Sequence, residues 1–143
     1  MQISYITAEM NDDFARAVEV GARAGVEVVS LRSPVWDEEL ESLNGEQINR
    51  VRATLDAHGM RPGMLLSPVG KCSIVDEKKI AASEDKLKRT VELARRLGSN
   101  SVRVFPFRAP DSAALDSSQF DQYFAHIIDR WGPWVEWAAE SGV

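Results

Sequence analysis

The residues that could do chemistry stand where apolar runs give way to polar connections. They are Glu9, Ser30, Arg32, Lys71 and Arg103. Arg32 closes the run Gly25-Val26-Glu27-Val28-Val29-Ser30-Leu31-Arg32, and a guanidinium there can grip a phosphate or a pair of hydroxyl oxygens through two parallel donors. Alternation along a strand puts Val28, Ser30 and Arg32 on one side and Val29 and Leu31 on the other. Leu31 suits a layer of helices, so Ser30 and Arg32 face away from it. The competing role for Arg32 is a rim salt bridge with Asp37 or Glu38. Arg103 has the parity of Phe105 and Phe107, which places a paired cation on the same inner face. Glu9 follows the first apolar run, where it either reaches the same end of the sheet or is a solvated loop acid.

Other reactive types are poorly placed for chemistry. His58 precedes a helix-stopping glycine, where histidine interacts with terminal carbonyls, and His126 is mid-helix. Neither is spaced with carboxylates as a metal ligand would be. Gly70-Lys71-Cys72-Ser73 lacks the earlier glycine and the Ser/Thr directly after lysine that a phosphate loop requires. Cys72 has a neighbouring lysine but no evident general base, which describes an inert thiol. Trp131, Trp134 and Trp137 have the spacing of core packing. No catalytic residue and no metal ligand is identified.

These side chains need elements to hold them. Strands are expected over about 3–7, 26–32, 61–67 and 101–107, separated and followed by amphipathic helices. Asn11, Asp12 or Asp13 can cap the first helix, with Phe14, Ala17, Val18 and Gly21 on its apolar face. The second starts near Asn44 and buries Ile48, Val51 and Leu55. The third is expected from Ser83, or from Asp76, to Gly98. Residues 108–118 read as loop, and Phe120 to Glu140 as a fourth helix with Phe120, Phe124, Ile127, Ile128, Trp131, Val135 and Ala138 on its apolar side. Gly132-Pro133 predicts a kink or a break there.

The helix ends repeat: Val18 to Gly25, Val91 to Gly98 and Val135 to Gly142 align without gaps, and Gly59 supplies a looser copy. Strands alternating with helices imply right-handed βαβ units and a parallel sheet. Helix-to-strand turns are short and strand-to-helix connections long, which assigns ligand binding to the C-terminal ends of the strands.

The chain has 143 residues, with 44% hydrophobic and 27% charged, and fits one domain over 1–143. Its net charge of -5 disfavours non-specific binding to nucleic acid or anionic membrane. No apolar run approaches the ~20 residues of a membrane span. The absence of a signal-peptide pattern and the single Cys72 fit a cytoplasmic location.

Three stretches carry a resemblance: Gly25 to Arg32, Leu66-Ser67-Pro68-Val69-Gly70-Lys71, and Leu97-Gly98-Ser99-Asn100-Ser101-Val102-Arg103-Val104-Phe105. In that order they resemble the first four β/α units of a sugar phosphate isomerase/epimerase with the xylose isomerase-like TIM barrel. The implied fold is a parallel (β/α)4 half of a TIM barrel without strands five to eight. The implied chemistry is aldose–ketose isomerisation or epimerisation of a sugar or sugar phosphate by metal-assisted proton transfer. The family's divalent metal (Mn, Mg, Co or Zn) is held mostly at strands five to eight, so none is expected to bind this chain tightly and the chain alone is expected to be inactive. Lys71 occupies the position that the family's Ser-Pro-x-Gly-Lys word marks, and Ser30 stands where many relatives have Glu. Arg32, Lys71, Arg103, Ser30 and Glu9 are therefore the candidate substrate contacts. The alternatives are a non-enzymatic, self-assembling half-barrel that binds a sugar-like ligand, and an endonuclease IV-like DNA-repair protein. Self-association through exposed sheet edges is expected.

Overall fold

The computed structural model describes residues 3–110 and 117–143. Four strands, β1 (Ser4–Ile6), β2 (Val28–Arg32), β3 (Arg61–Leu66) and β4 (Ser101–Arg103), pair in parallel in chain order, β1-β2-β3-β4. The helices are α1 (Thr7–Met10), α2 (Phe14–Arg23), α3 (Gly45–Ala57), α4 (Glu77–Leu97) and α5 (Ser117–Glu140). This is the alternating α/β arrangement expected, consistent with a partial TIM barrel.

Local chemistry explains where the helices start. The Asp13 side chain accepts from the Arg16 N–H at the head of α2, and the Asp76 side chain accepts from the Lys79 N–H at the head of α4. Asn44 and Gln47 form a reciprocal capping box at α3, with bonds of 3.0 and 2.8 Å. At the far end of α4, Gly98 takes φ 80°, a left-handed turn that a side chain resists.

The core lies between one face of the sheet and the helices. Val29, Leu31 and Leu65 from the strands meet Phe14 and Val18 of α2, Val51 of α3, and Leu93 of α4. Leu31 and Leu65 are register partners and both are fully buried. The other face carries Ser30, Arg32 and Met64, which are less buried, as the parity of β2 requires. Register slips between β2 and β3, where Gly63 and Met64 stand opposite Ser30. A side chain at Gly63 would press on Val28, so glycine fits the tight side of that irregularity.

Several expectations need correcting. The strands are shorter than expected, most of all β4, which ends at Arg103 instead of residue 107. Beyond it the chain leaves β3 and runs along the β3–α4 loop: Phe105 N–H donates to the Val69 carbonyl at 2.8 Å, and Arg108 N–H to the Cys72 carbonyl at 2.8 Å. Phe107 adopts φ 60° and turns into a cluster with Cys72, Ile74 and Ile80, so it does not share the face of Arg103. The expected loop over 108–118 falls at 111–116 outside the described residues, and Ser117 and Ser118 already belong to α5.

The α5 helix also passes through Gly132-Pro133 unbroken. Its buried side carries Ile127, Trp131, Trp134, Trp137 and Ala138, packed against the Phe107 and Val69–Leu87–Val91 clusters. Phe120, Phe124, Ile128 and Val135, expected on the buried side, are more than half exposed. No helix among the described residues is long and apolar enough to cross a membrane.

Candidate functional site

At the C-terminal ends of β2, β3 and β4 lies a cleft of about 310 Å³, lined by Arg32, Ser33, Glu39, Leu66, Pro68, Lys71, Arg103 and Phe105. Arg32 is the last residue of β2 and Arg103 the last of β4, so two strand ends deliver a guanidinium each. Lys71 comes from the connection after β3. The three cations chosen from the sequence are thus brought together.

Each is held differently. The Arg32 guanidinium donates to Glu9 Oε1 at 2.7 Å, and its backbone N–H points at Thr7 Oγ1 at 3.4 Å. Glu9 sits on α1, the single turn directly after β1. The expected partners Asp37 and Glu38 do not take this role. Trp36 and Asp37 both adopt positive φ in a tight turn closed by Val35 and Glu38, which leaves Asp37 and Glu38 exposed. Both members of the Arg32–Glu9 pair are about half exposed, so the pair contributes at most about 1 kcal/mol. Its effect is to orient the guanidinium.

Arg103 donates through Nη2 to the Ser67 carbonyl at 3.2 Å and stacks on Phe105, with Cζ 4.5 Å from the ring centroid. Its Nε is buried without a hydrogen-bond partner among the described residues. Lys71 Nζ lies 5.7 Å from the same ring. The turn that presents Lys71 is tight: Lys71 N–H donates to the Pro68 carbonyl at 3.0 Å, and Val69 N–H to the buried Ser67 Oγ at 3.0 Å. Gly70 is required in it, because φ is 76° and a Cβ there would collide with the Phe105 carbonyl oxygen.

Ser30 lies elsewhere. Its Oγ is 2.9 Å from Ser4 Oγ, in a second cavity of about 530 Å³ on the inner face with Arg61, Gly63 and Met64. Sequence reasoning missed Glu39, Ser33 and Phe105 as lining residues. In that segment only Asp37 and Glu38 stood out, as possible partners of Arg32, and Phe105 read only as a strand residue of suitable parity. Ser33 Oγ accepts from the Leu40 N–H at 2.9 Å, which fixes the segment carrying Glu39.

The side chains set aside on sequence grounds take structural roles. His58 Nδ1 lies 2.9 Å from the Thr54 carbonyl at the end of α3. Cys72 is buried, with Sγ 3.7 Å from Ser83 Oγ. Among the described residues no three His, Cys, Asp or Glu side chains gather as a metal ion requires.

The family model described as "Xylose isomerase-like TIM barrel" matches residues 14–143. No curated protein matches. Among solved structures, a xylose isomerase-like TIM barrel protein from Mycobacterium smegmatis in complex with magnesium is similar at 15% identity and TM-score 0.70, over 99% of this chain and 53% of that one. D-psicose 3-epimerase is similar at 13% identity and TM-score 0.71, over 100% and 50%. The E. coli 3-keto-D-glucoside 4-epimerase is similar at 17% identity and TM-score 0.72, over 100% and 54%. The chain spans about half the length of these structures.

Proposed function

The chain belongs to the xylose isomerase-like TIM barrel family, and from that premise we propose that it is the N-terminal, substrate-gripping part of a sugar isomerase or epimerase. One observation carries the reading: two cations from the ends of β2 and β4 and one from the connection after β3 line one cleft. That end of a parallel β/α sheet is where such folds bind ligands. In this reading Arg32, Lys71 and Arg103 hold the substrate's oxygens, and Glu9 fixes the direction of Arg32. Two substrate classes suit the role, an uncharged sugar such as the psicose named for one neighbour and a sugar phosphate.

The division of labour follows from the side chains present. The described residues do not fit the family's divalent metal, since no three ligating side chains come together. No proton-transfer step is therefore assigned to this chain. Its contribution is binding and orientation, which can supply a large part of a barrier by holding the substrate in reactive geometry. The test is binding and turnover of free and phosphorylated sugars by the purified chain with added magnesium or manganese. Binding weakened by Arg32→Ala and Lys71→Ala, without turnover, supports the proposal. Metal-dependent turnover by this chain alone overturns the division of labour, and failure to bind any sugar ligand overturns the reading.

A second reading, a self-associating half-barrel that binds a sugar-like ligand without metal, is favoured by the edge strands. β1 and β4 both border the sheet, and an edge strand is a template on which another chain can pair. Sedimentation of a monomer at micromolar concentration would remove it. The net charge of -5 speaks against a DNA-repair role.

A further inference from the structure

We propose that Glu41 and Lys86 are positioning residues, a buried ion pair that ties the β2–α3 connection to α4. In doing so the pair sets the spacing between the β2–α3 and β3–α4 connections that line the strand-end cleft. Neither residue lines that cleft itself. The inference rests on the cleft's being the ligand site and adds what holds its shape.

Burial singles the pair out. Among the described residues Glu41 is the one buried residue that carries a charge. Its side chain is 2% exposed, while the acids of the other ion pairs among those residues are 33–63% exposed. Lys86 Nζ lies 2.9 Å from Glu41 Oε1, yet neither carboxylate oxygen has a hydrogen-bond partner of good geometry among the described residues. A charge so poorly compensated adds little to stability, since apolar side chains of similar volume often hold such a site as well or better. What an ion pair supplies and non-directional apolar packing does not is registry, one acid matched to one cation. The sequence offers a choice to be made, because Asp37, Glu38 and Glu39 stand just before Glu41 and are all exposed.

The place of the two residues in the fold gives the pairing its consequence. Glu41 belongs to the 3-10 turn Leu40–Ser42, and Leu40 packs in the core with Leu93 and Leu97 of α4. The Leu40 N–H donates to Ser33 Oγ at 2.9 Å, which closes the segment that brings Ser33 and Glu39 to the cleft. Lys86, on α4, lines a neighbouring depression of about 270 Å³ together with Pro68 and Lys71, both of which also line the cleft. The pair therefore joins the connection that carries Glu39 to the helix that follows the connection carrying Lys71. Matching Glu41 to Lys86 leaves Glu39 for the cleft; matching Glu39 to Lys86 would withdraw it.

The experiment compares the full wild-type chain with Lys86→Met, Lys86→Arg and the double variant Glu41→Gln with Lys86→Met. Urea unfolding reads stability, hydrogen exchange of the Leu40 N–H reads opening of the connection, and the amide signals of Glu39 and Lys71 read the cleft. Lys86→Met leaves a buried carboxylate unpaired, so it is expected to lose stability and to speed Leu40 exchange about tenfold. The double variant leaves no buried charge unpaired and is expected to recover stability. Its Leu40 exchange is expected to stay fast and its Glu39 signal displaced, which a merely space-filling role would not produce. Lys86→Arg keeps the pairing and is expected to restore both signals. Should Lys86→Met fail to fold, the other two variants carry the comparison. Wild-type exchange and a wild-type Glu39 signal in the double variant overturn the proposal, as does a Lys86→Arg variant that behaves like the double one. Titration with D-fructose adds the link to ligand, with affinity expected to fall about fivefold in the double variant. Unchanged affinity despite a displaced Glu39 overturns the role in binding. A wild-type chain that binds no sugar defeats the reading of the cleft, whereas the exchange and amide signals decide separately whether the pair positions its walls.

Discussion

Replacing Gly70 by alanine tests whether the Lys71 turn is held against β4 as tightly as the contacts indicate. Two costs add at this position. The first is conformational, since φ is 76° and a Cβ in the left-handed region costs roughly 1–2 kcal/mol. The second is the collision with the Phe105 carbonyl, which forces the two segments apart and strains the Phe105 N–H bond to Val69, worth about 1 kcal/mol. Gly98→Ala is the matched control: φ is 80°, and nothing lies within 4 Å of the added methyl. We expect a loss of about 1–2 kcal/mol for Gly98→Ala and about 2–3 kcal/mol for Gly70→Ala. Urea unfolding at constant m-value measures the difference. Only Gly70→Ala is expected to weaken binding of a sugar ligand in the cleft as well, because it displaces Lys71 from Phe105. Equal destabilisation by the two variants would refute the claimed contact between the turn and the Phe105 backbone.

Three further outcomes follow from the packing and the caps. Leu31→Ala, at a fully buried position in the sheet–helix core, is expected to cost about 3 kcal/mol in chemical unfolding. A cost under about 1 kcal/mol would place Leu31 outside the core. Asn44→Ala removes the reciprocal cap of α3 and is expected to cost about 1 kcal/mol, visible as a lowered Tm with an unchanged m-value. The Lys79 backbone N–H, together with its ammonium, holds the Asp76 carboxyl below the ordinary value of 3.8. This contribution is complete above that value and is lost as pH falls through the lower folded-state value. The Tm advantage of wild type over Asp76→Asn is thus expected to shrink on acidification, and a gap unchanged down to pH about 2 would contradict the linkage.

What the sequence determined by itself was the part governed by neighbours in the chain. The caps at Asp13 and Asn44 act over three residues, and the left-handed glycines close helices through their own backbone freedom, so these boundaries are legible in composition and spacing. Alternation fixed the faces of β2, and with them the direction of Arg32 and the burial of Leu31. The repeat of helix ends gave the parallel order of the sheet. Contacts between distant segments were not legible. Arg32 pairs with Glu9, twenty-three residues away, and not with the nearer acids, because a turn at Trp36 and Asp37 points those outward. Strand parity failed at Phe107 because its positive φ turns the chain toward Cys72 and Ile74. On α5, apolar spacing marked more positions than the sheet and α4 can cover, so Phe120 and Phe124 are exposed while Trp131 and Trp134 pack inward. The meeting of Lys71 and Arg103 on one aromatic ring depends on the run of residues 104–108 alongside the β3–α4 loop. Spacing within either segment carries no trace of it. Local sequence sets each element's own conformation and faces, but the tertiary fold decides which element lies opposite.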